Sequence, residues 1–524
     1  MPTTDAVVTY GWLFLAFYLV VIAGLGYWGW KRTGTQDDYA TARGGFGFLA
    51  LGFAYAATVA SGSTFMGIPG MAYDMGFKAG YYALIYPIGA YLGIMLVARI
   101  TKKVGDEAGS QSIPDFLGDR FKSPVIRLMA SLVALFLLFY VMSQIVAAGW
   151  MFDTILGIDY TVGIWAAAGM LLLYLTLGGS HADIITDAVQ GAIMVGITIL
   201  IFAMFLTGWG FDGGVSAVNA NLDAGQQWDT HTDSENPIFA NWWVIFLLFV
   251  GHIGFTAQPH LGNKFFAIKG TQYMKKFFIV AAVAGMTLPL MFLGGVLGAA
   301  QGIEIADPDA IIPVLFIETL PAVFAAFLGV AILSAIISTA DGLIISVAQI
   351  FANDLYRKTY VPWKGGDPSS PAVNQRALLI SRVATVVVTI VAVAAVMTPP
   401  QYLSVFMWIG IGGIISAYSG PYFVGSLDES TSKKAAIIGF VAGFAVYAVI
   451  HLGPQMGLYD SIAGFSLFPY SENPYASSGI GFIVSCVSTY LGSKFTEPMA
   501  VEDRNEVFRG TTELSDGGRV ESDD

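Results

Sequence analysis

Ala56-Ala57-Thr58-Val59-Ala60-Ser61-Gly62-Ser63-Thr64-Phe65-Met66-Gly67-Ile68-Pro69-Gly70 lies within an apolar run long enough to cross a bilayer, yet hydroxyls and glycines crowd its middle. A proline or glycine interruption frees backbone carbonyls and amides that lipid cannot satisfy, so they must face protein, ion, solute or water. Five spans later comes Gly251-His252-Ile253-Gly254-Phe255-Thr256-Ala257-Gln258-Pro259-His260, again with a late proline. An odd number of spans between the two puts them in opposite orientations. Interrupted helices at matching positions of two halves mark the binding site of carriers built from inverted repeats. Glycine packing or a plain proline kink accounts for either segment alone; the matched pair favours a binding site.

The rest of the chain reads as membrane protein. Of its 524 residues 55% are hydrophobic and 12% charged, against about 25% charged in a soluble domain; mean hydropathy is +0.66. The first apolar run, 8–30, carries no charge. At 1.5 Å per residue it covers a hydrocarbon core of about 30 Å. It lacks a basic leader and is followed by Lys31 and Arg32, which predicts a retained span rather than a cleaved signal. Similar runs give thirteen expected spans, at 8–30, 46–70, 79–100, 124–152, 160–178, 183–207, 239–262, 276–300, 321–352, 376–397, 402–426, 433–452 and 478–493. The expected organisation is a first helix and cytoplasmic loop (1–45), a five-helix repeat with an external loop (46–238) and a second five-helix repeat (239–427). Two further helices (428–495) and an acidic, disordered cytoplasmic tail (496–524) complete it.

Basic residues set the orientation. With the N-terminus outside and thirteen crossings, Lys31, Arg32, Arg43, Lys102, Lys103, Arg120, Lys122 and Arg127 fall in the cytoplasm. So do Lys264, Lys269, Lys275, Lys276, Arg357, Lys358, Lys364, Arg376, Lys433 and Lys434. Of 25 Lys and Arg residues only Lys78 is left outside, the segregation that the positive-inside rule requires. The external loop 208–238 has five acids and no Lys or Arg.

The ninth span supplies the third element of a site. It reads Leu333-Ser334-Ala335-Ile336-Ile337-Ser338-Thr339-Ala340-Asp341-Gly342 and runs on to Asn353-Asp354-Leu355-Tyr356. Ala335, Ser338 and Asp341 share one helix face, with Thr339 four residues from Ala335. Hard oxygens there, opposite the freed carbonyls of the second span, suit a small hard cation. Asp341 is the sharper signal, because an ionisable group in mid-span is costly and defaults to function.

Taken in order, these motifs resemble the sodium:solute symporter family, which includes proline, pantothenate, sugar and monocarboxylate carriers. The resemblance covers roughly 8–495. It rests on the Ser61-Gly62-Ser63-Thr64 segment, Gly178-Gly179 with Thr186-Asp187 and Gln190, Gln258-Pro259-His260, the ninth-span motif, and Pro399-Pro400. It implies an all-α membrane protein of about 13 transmembrane helices, with a LeuT-like five-plus-five inverted-repeat core, one helix before it and two after. It also implies a sodium site made of the carbonyls of Ala57, Ala60 and Ala335 with the hydroxyls of Ser338 and Thr339. Asp187 matches the family's carboxylate near the cytoplasmic exit. By analogy with proline carriers, the solute lies near Ser61, Thr64, Tyr140, Gln144, Gly251 and Phe255. One departure stands out: proline carriers have an aspartate where this chain has Val59, which leaves Asp341 as a possible second sodium or proton site.

The implied activity is sodium-coupled import of a small monocarboxylate or zwitterion, with proton coupling as the alternative. The wording of the motifs is slightly closer to pantothenate-type than to proline-type carriers. No Lys or Arg occupies an expected span centre, so a multiply charged anion lacks a counter-charge. Expected partners are the solute, sodium and the lipid bilayer of the cell membrane, with no nucleic acid. No cofactor is expected beyond the transported Na+. A channel needs a continuous polar pore or charged rings, whereas the polar residues cluster at one depth. An enzyme is disfavoured because His181, His231, His252, His260 and His451 show no metal spacing and no nucleophilic triad appears. The lone Cys486 reads as a small buried hydrophobe.

Overall fold

The computed structural model describes residues 5–32, 41–400, 403–459 and 466–508, apart from the side chains of 173–179 and 263. Among the described residues the regular structure is helical, with one isolated parallel bridge between Phe46 and Ile268. Nine helical stretches are long and apolar enough to cross a membrane, or ten when Trp242–Ala257 and Pro259–Ala267, bent by 55°, count as one. Phe48–Ala108 is continuous by that measure and holds the expected second and third spans, divided at Gly76, whose φ of 62° turns the chain. The expected fifth and sixth spans form one helical segment, Tyr160–Thr207. Tyr160 lies in the field of Asp307, and Gln301 Nε2 donates to Trp209 O just past the far end. Both ends therefore sit beside the 301–307 loop. A straight helix of that length would span about 72 Å, so the segment doubles back.

Short polar punctuation sets the boundaries. Ser112, Ser123, Ser370 and Asn473 each cap a helix whose first turn contains proline. The cap oxygen satisfies an orphan amide, and proline at the start loses nothing. At the other ends, Gly109, Gly157 and Gly208 adopt the left-handed conformation that closes a helix without a Cβ clash. Burial then sorts the spans. Four-fifths of the apolar windows of Ala322–Trp363 and Leu403–Leu427 are buried, against 22% for Asp5–Trp30. The first helix turns Leu13, Phe17 and Val20 outward, as a lipid-facing helix does.

The two interrupted helices are tied together by the segment that precedes the first and the end of the second. Phe46 N donates to Ala267 O (3.1 Å), Lys269 N to Phe46 O (3.1 Å) and Gly44 N to Phe266 O (3.1 Å). Lys102 Nζ adds a bond to Phe266 O at 2.8 Å. On the opposite face the 208–238 loop packs against the turn after the first interrupted helix. Phe77 N donates to Gln226 O at 2.9 Å, Gln226 Nε2 donates to Tyr73 O and Asp74 O, and Lys78 pairs with Asp233 at 3.1 Å.

The first part of the acidic tail, 496–508, departs from the expectation of disorder. Val501–Val507 is a helix, and Lys122 pairs with Asp503 and Glu506. Phe508 is buried, with the Arg120 guanidinium 4.6 Å from its ring centre. Residues 509–524 lie outside the described residues. Acidic composition signals solvation on average, but Met499 and Phe508 supply apolar anchors that an average hides. Arg120 is fully buried and donates to Gly425 O (2.8 Å), Asp428 O (3.1 Å) and Glu429 O (3.3 Å), so it fastens the 113–120 helix to the 425–429 loop. A second tie joins that helix to the end of the ninth span: Asp115 pairs with Lys358 (2.9 Å) and Arg127 (3.1 Å), and Ser112 Oγ donates to Asp354 Oδ2 (2.7 Å). Burial and neighbouring Asp115 push the Asp119 carboxyl up to about 6 despite Lys358 and Arg127.

Arg120→Ala strands one buried and two half-buried carbonyls and is expected to cost about 2 kcal/mol. Arg120→Lys should recover little, because one ammonium cannot reproduce the planar fork. Thermal unfolding of the detergent-solubilised variants measures both, and equal melting of wild type and Arg120→Ala would refute the clamp.

Candidate solute and cation site

The first interruption falls at Ser61, whose φ of 57° and ψ of −178° leave the helix inside an otherwise buried stretch. Side chains then take up the loosened backbone. The amide of Gly62 donates to Gln144 Oε1 at 2.9 Å, and Ser63 N turns to Ser61 Oγ (3.3 Å) and Ala60 O. Thr64 Oγ1 donates to Ala60 O at 2.5 Å and lies 3.0 Å from Tyr86 Oη. A π-helical turn, Ser63–Gly67, restores the helix before Ile68–Met75. Gly62 has no room for a side chain: a Cβ there would stand 2.9 Å from Gln144 Oε1 and 3.0 Å from Ile336. That contact sets the Ala335–Thr339 turn against the break.

The second interruption is built differently. Trp242–Ile253 tightens into a 3-10 turn over Gly254–Ala257, Gln258 is extended, and Pro259 starts the next helix, Pro259–Ala267. Proline lacks the amide that would continue the first helix and disfavours helical geometry in the residue before it. Gln258 Nε2 reaches Ile411 O at 3.4 Å.

Near the breaks lie buried polar atoms that have no hydrogen-bond partner among the described residues: Ser63 Oγ, Gln258 Oε1 and both ring nitrogens of His260. Buried polar groups are normally paired, so such a group of unpaired ones marks a place for a ligand. Tyr140 stands edge-on to His260 with ring centres 5.4 Å apart, and its hydroxyl points toward Ser61. Phe255 stacks on Trp408 at 6.0 Å, and Trp408 in turn touches His252 at 4.3 Å. Of the expected solute residues, Ser61, Thr64, Tyr140 and Gln144 gather at the first break, and Phe255 lines the second. Gly251 does not join them: its Cα faces Ser478 and Tyr475 of the last long helix, where a Cβ would meet Ser478 Oγ at 2.7 Å. Glycine there serves close helix packing. Trp408 and Tyr86 carry no individual signal in the sequence that would have added them, and Gln258 stands out only within Gln258-Pro259-His260.

The expected cation ligands lie on the two elements that meet at Gly62. Ser338 Oγ and Thr339 Oγ1 both point at Ala335 O, at 3.4 and 3.1 Å. Ala60 O is turned toward the hydroxyl of Thr64 rather than buried in an unbroken ladder. With Ala57 O, this donor set is entirely neutral oxygen, the chemistry of a hard monovalent ion.

About one turn before the first break, level with Thr58, sits a charged cluster. Lys264 Nζ pairs with Asp183 Oδ2 at 2.5 Å and Asp187 Oδ2 at 2.8 Å. Thr58 Oγ1 donates to Asp187 Oδ2 at 3.0 Å, and Gln190 Nε2 to Ser334 O at 3.1 Å. A Cβ on Gly342 would stand 3.4 Å from Asp183 Oδ1, which puts Asp341 beside the same group. Asp341 is buried, and its Oδ1 has no partner, like Asp183 Oδ1 and Asp187 Oδ1. Lys264 is therefore not the loop cation expected from sequence; it is buried, and three carboxylates face this one ammonium. The cluster joins the second, sixth, seventh and ninth spans directly below the first break.

Comparison with known proteins agrees with this architecture. The model of the sodium:solute symporter family matches residues 39–443. The chain is 28% identical over 482 residues to the osmoregulated proline transporter OpuE of Bacillus subtilis, covering 86% of this chain and 92% of that one. It is 26% identical over 519 residues to the sodium/proline symporter of Staphylococcus aureus, covering 93% of each. Among solved structures it resembles the substrate-bound, outward-open Na+-coupled sialic acid symporter, with a TM-score of 0.71 at 21% identity over 93% of this chain and 98% of that one. It also resembles Mhp1, a nucleobase-cation-symport-1 family transporter in a closed conformation, with a TM-score of 0.51 at 13% identity over 90% and 97% of the two chains. These likenesses establish the all-helical fold of LeuT-type sodium symporters. The chain belongs to the sodium:solute symporter family.

Proposed function

We propose that this protein imports a small zwitterionic solute, with proline the leading candidate, by coupling it to inward sodium flow across the cell membrane. The observation that carries this is the break at Ser61, held against the Ala335–Thr339 turn through Gly62. Sodium would be held by Ala57 O, Ala60 O, Ala335 O, Ser338 Oγ and Thr339 Oγ1, drawing the second and ninth spans together. The solute would lie between the breaks, against Ser61, Thr64, Tyr140, Gln144 and Phe255. Because each ligand favours the arrangement that the other needs, their affinities rise together. The solute class draws on two observations. The curated relatives are proline carriers, and no charged side chain stands among the unpartnered atoms between the breaks. Pantothenate remains the second candidate, from the motif wording and from Val59.

Thirteen crossings with the N-terminus outside fit the segregation of basic residues. In that orientation the Lys264 cluster lies between the sodium ligands and the cytoplasm, with Asp187 at the exit. Asp341, with an unpartnered carboxylate oxygen in a cluster that is net anionic, is suited to a second sodium or a proton. One sodium ion moving inward through 100 mV releases about 2.3 kcal/mol, and a tenfold gradient adds about 1.4 kcal/mol. One-to-one coupling would then accumulate a neutral solute a few hundred-fold.

Proteoliposomes loaded with potassium and diluted into sodium medium are expected to take up labelled L-proline or another neutral amino acid. Uptake that is equally fast without a sodium gradient would refute symport. Ser338→Ala or Thr339→Ala removes one neutral ligand and is expected to raise the half-saturating sodium concentration about tenfold, with the maximal rate recovered at high sodium. Asp341→Asn tests the second cation: an unchanged order of sodium dependence and an unchanged pH profile would reject that role.

A further inference from the structure

Asp309 sits in the short 3-10 turn Pro308–Ala310, between the eighth and ninth spans, and is 1% exposed. Its Oδ2 accepts the amide of Leu403 at 2.8 Å, and its Oδ1 has no hydrogen-bond partner among the described residues. That second oxygen lies against the first interrupted helix: a Cβ on Gly70 would stand 2.5 Å from it. Leu403 opens the helix Leu403–Ser419, the eleventh span. Its amide is one of the orphan donors of a helix start, and the carboxyl oxygen satisfies it as a cap side chain would. Asp309 thus caps in trans a helix that begins 94 residues further along the chain. The same helix start is seated on the first interrupted helix. Ser404 Oγ donates to Met71 Sδ at 3.0 Å, and a Cβ on Gly67 would stand 3.1 Å from Ser404 N. Leu403, Ser404 and Met71 are all buried. Further along the eleventh span, Trp408 meets His252 and Phe255, so the seating of its first turn fixes a wall of the solute chamber. Resting on the orientation and the solute reading above, we propose that Asp309 is the positioning residue of the outer closure. By holding Leu403 against Gly70 it keeps the eleventh span, and Trp408 with it, shut over the chamber. Solute enters from outside only when this tie is released.

The groups around Asp309 are acidic or phenolic. Asp307 in the same turn and Asp74 in the outer half of the first interrupted helix are its charged neighbours. Asp153 of the fourth span and Glu318 of the helix that follows line a cavity of about 420 Å³ with Asp307, and Tyr475 of the last long helix lies in the field of Asp309. Burial, outweighing the Leu403 amide and reinforced by Asp307 and Asp74, raises the Asp309 carboxyl well above the usual carboxylate range. Opening hydrates the group and returns it toward its ordinary value. The shut form therefore holds the proton more tightly. Acid outside stabilises closure, and that stabilisation is lost as external pH rises through the raised value.

The test uses the full-length protein in proteoliposomes, with a thiol placed under the closure by Met71→Cys in a Cys486→Ala background. A membrane-impermeant methanethiosulfonate added outside reads opening without any solute, and uptake of tritiated L-proline is measured in parallel. Asp309→Ala is expected to raise the labelling rate at least about tenfold, through the loss of one buried hydrogen bond. Its maximal uptake rate should fall, because closing follows binding, while the half-saturating proline and sodium concentrations do not rise. Labelling of Asp309→Ala at the parent rate overturns the assignment. So does a raised half-saturation with an unchanged maximal rate, the signature of lost ground-state binding. Asp309→Asn keeps an acceptor for Leu403 N but cannot titrate. The labelling rate of the parent divided by that of Asp309→Asn should rise from about pH 5 to about pH 8 outside, and a constant ratio overturns the role. If Asp309→Ala yields no monodisperse protein, this ratio decides. Labelling only by reagent trapped inside overturns the outer closure through its orientation. Labelling as expected in a protein that takes up no proline supports the closure and refutes the solute instead.

Discussion

Everything in this molecule is arranged around the cost of exposing peptide groups in a water-free interior. Ser61 stands in a left-handed conformation in the middle of a membrane helix, and each peptide group loosened there must find another partner. The chain supplies these from outside the helix: Gln144 for the amide of Gly62, and the hydroxyls of Ser61 and Thr64 for their neighbours. The second break relies on proline instead, which withholds an amide. The two halves thus reach the same end by different chemistry.

A charged cluster packs beside the first break. A lysine among three aspartates is costly to bury, and only close pairing makes it tolerable. Because the four groups come from three spans, the pairing holds only when those spans are packed together. Any rearrangement that parts the sixth and seventh spans must break contacts of Lys264 with Asp183 and Asp187, so a change in the local charge bears on the arrangement of the helices.

Much of the site was legible because it violates local rules. Ser61, Gly62, Pro69 and Pro259 are conspicuous in an apolar run, and Ser338, Thr339 and Asp341 fall on one helix face by spacing alone. What sequence could not convey was contact between distant segments. Lys264 follows an apolar stretch, as a loop cation would, and only the fold brings Asp183 and Asp187 to it. Gly251 looked like a ligand-facing glycine beside the break, whereas the last long helix takes up that face. His260 was visible only as part of Gln258-Pro259-His260, since a single histidine has no periodic partner to reveal which way it points. Arg120 seemed one more cytoplasmic charge, because the carbonyls that it gathers lie about 300 positions further along the chain.

The short parallel pairing of Phe46 with the end of the second interrupted helix has a consequence of its own. It is made of main-chain atoms alone, Phe46 N to Ala267 O and Lys269 N to Phe46 O, so almost any residue at these positions preserves it. Side-chain changes there leave the ends of the two interrupted helices tied to one another. Proline at position 46 has no amide to give Ala267 O, and proline at 269 has none to give Phe46 O, so either would remove half of the pairing.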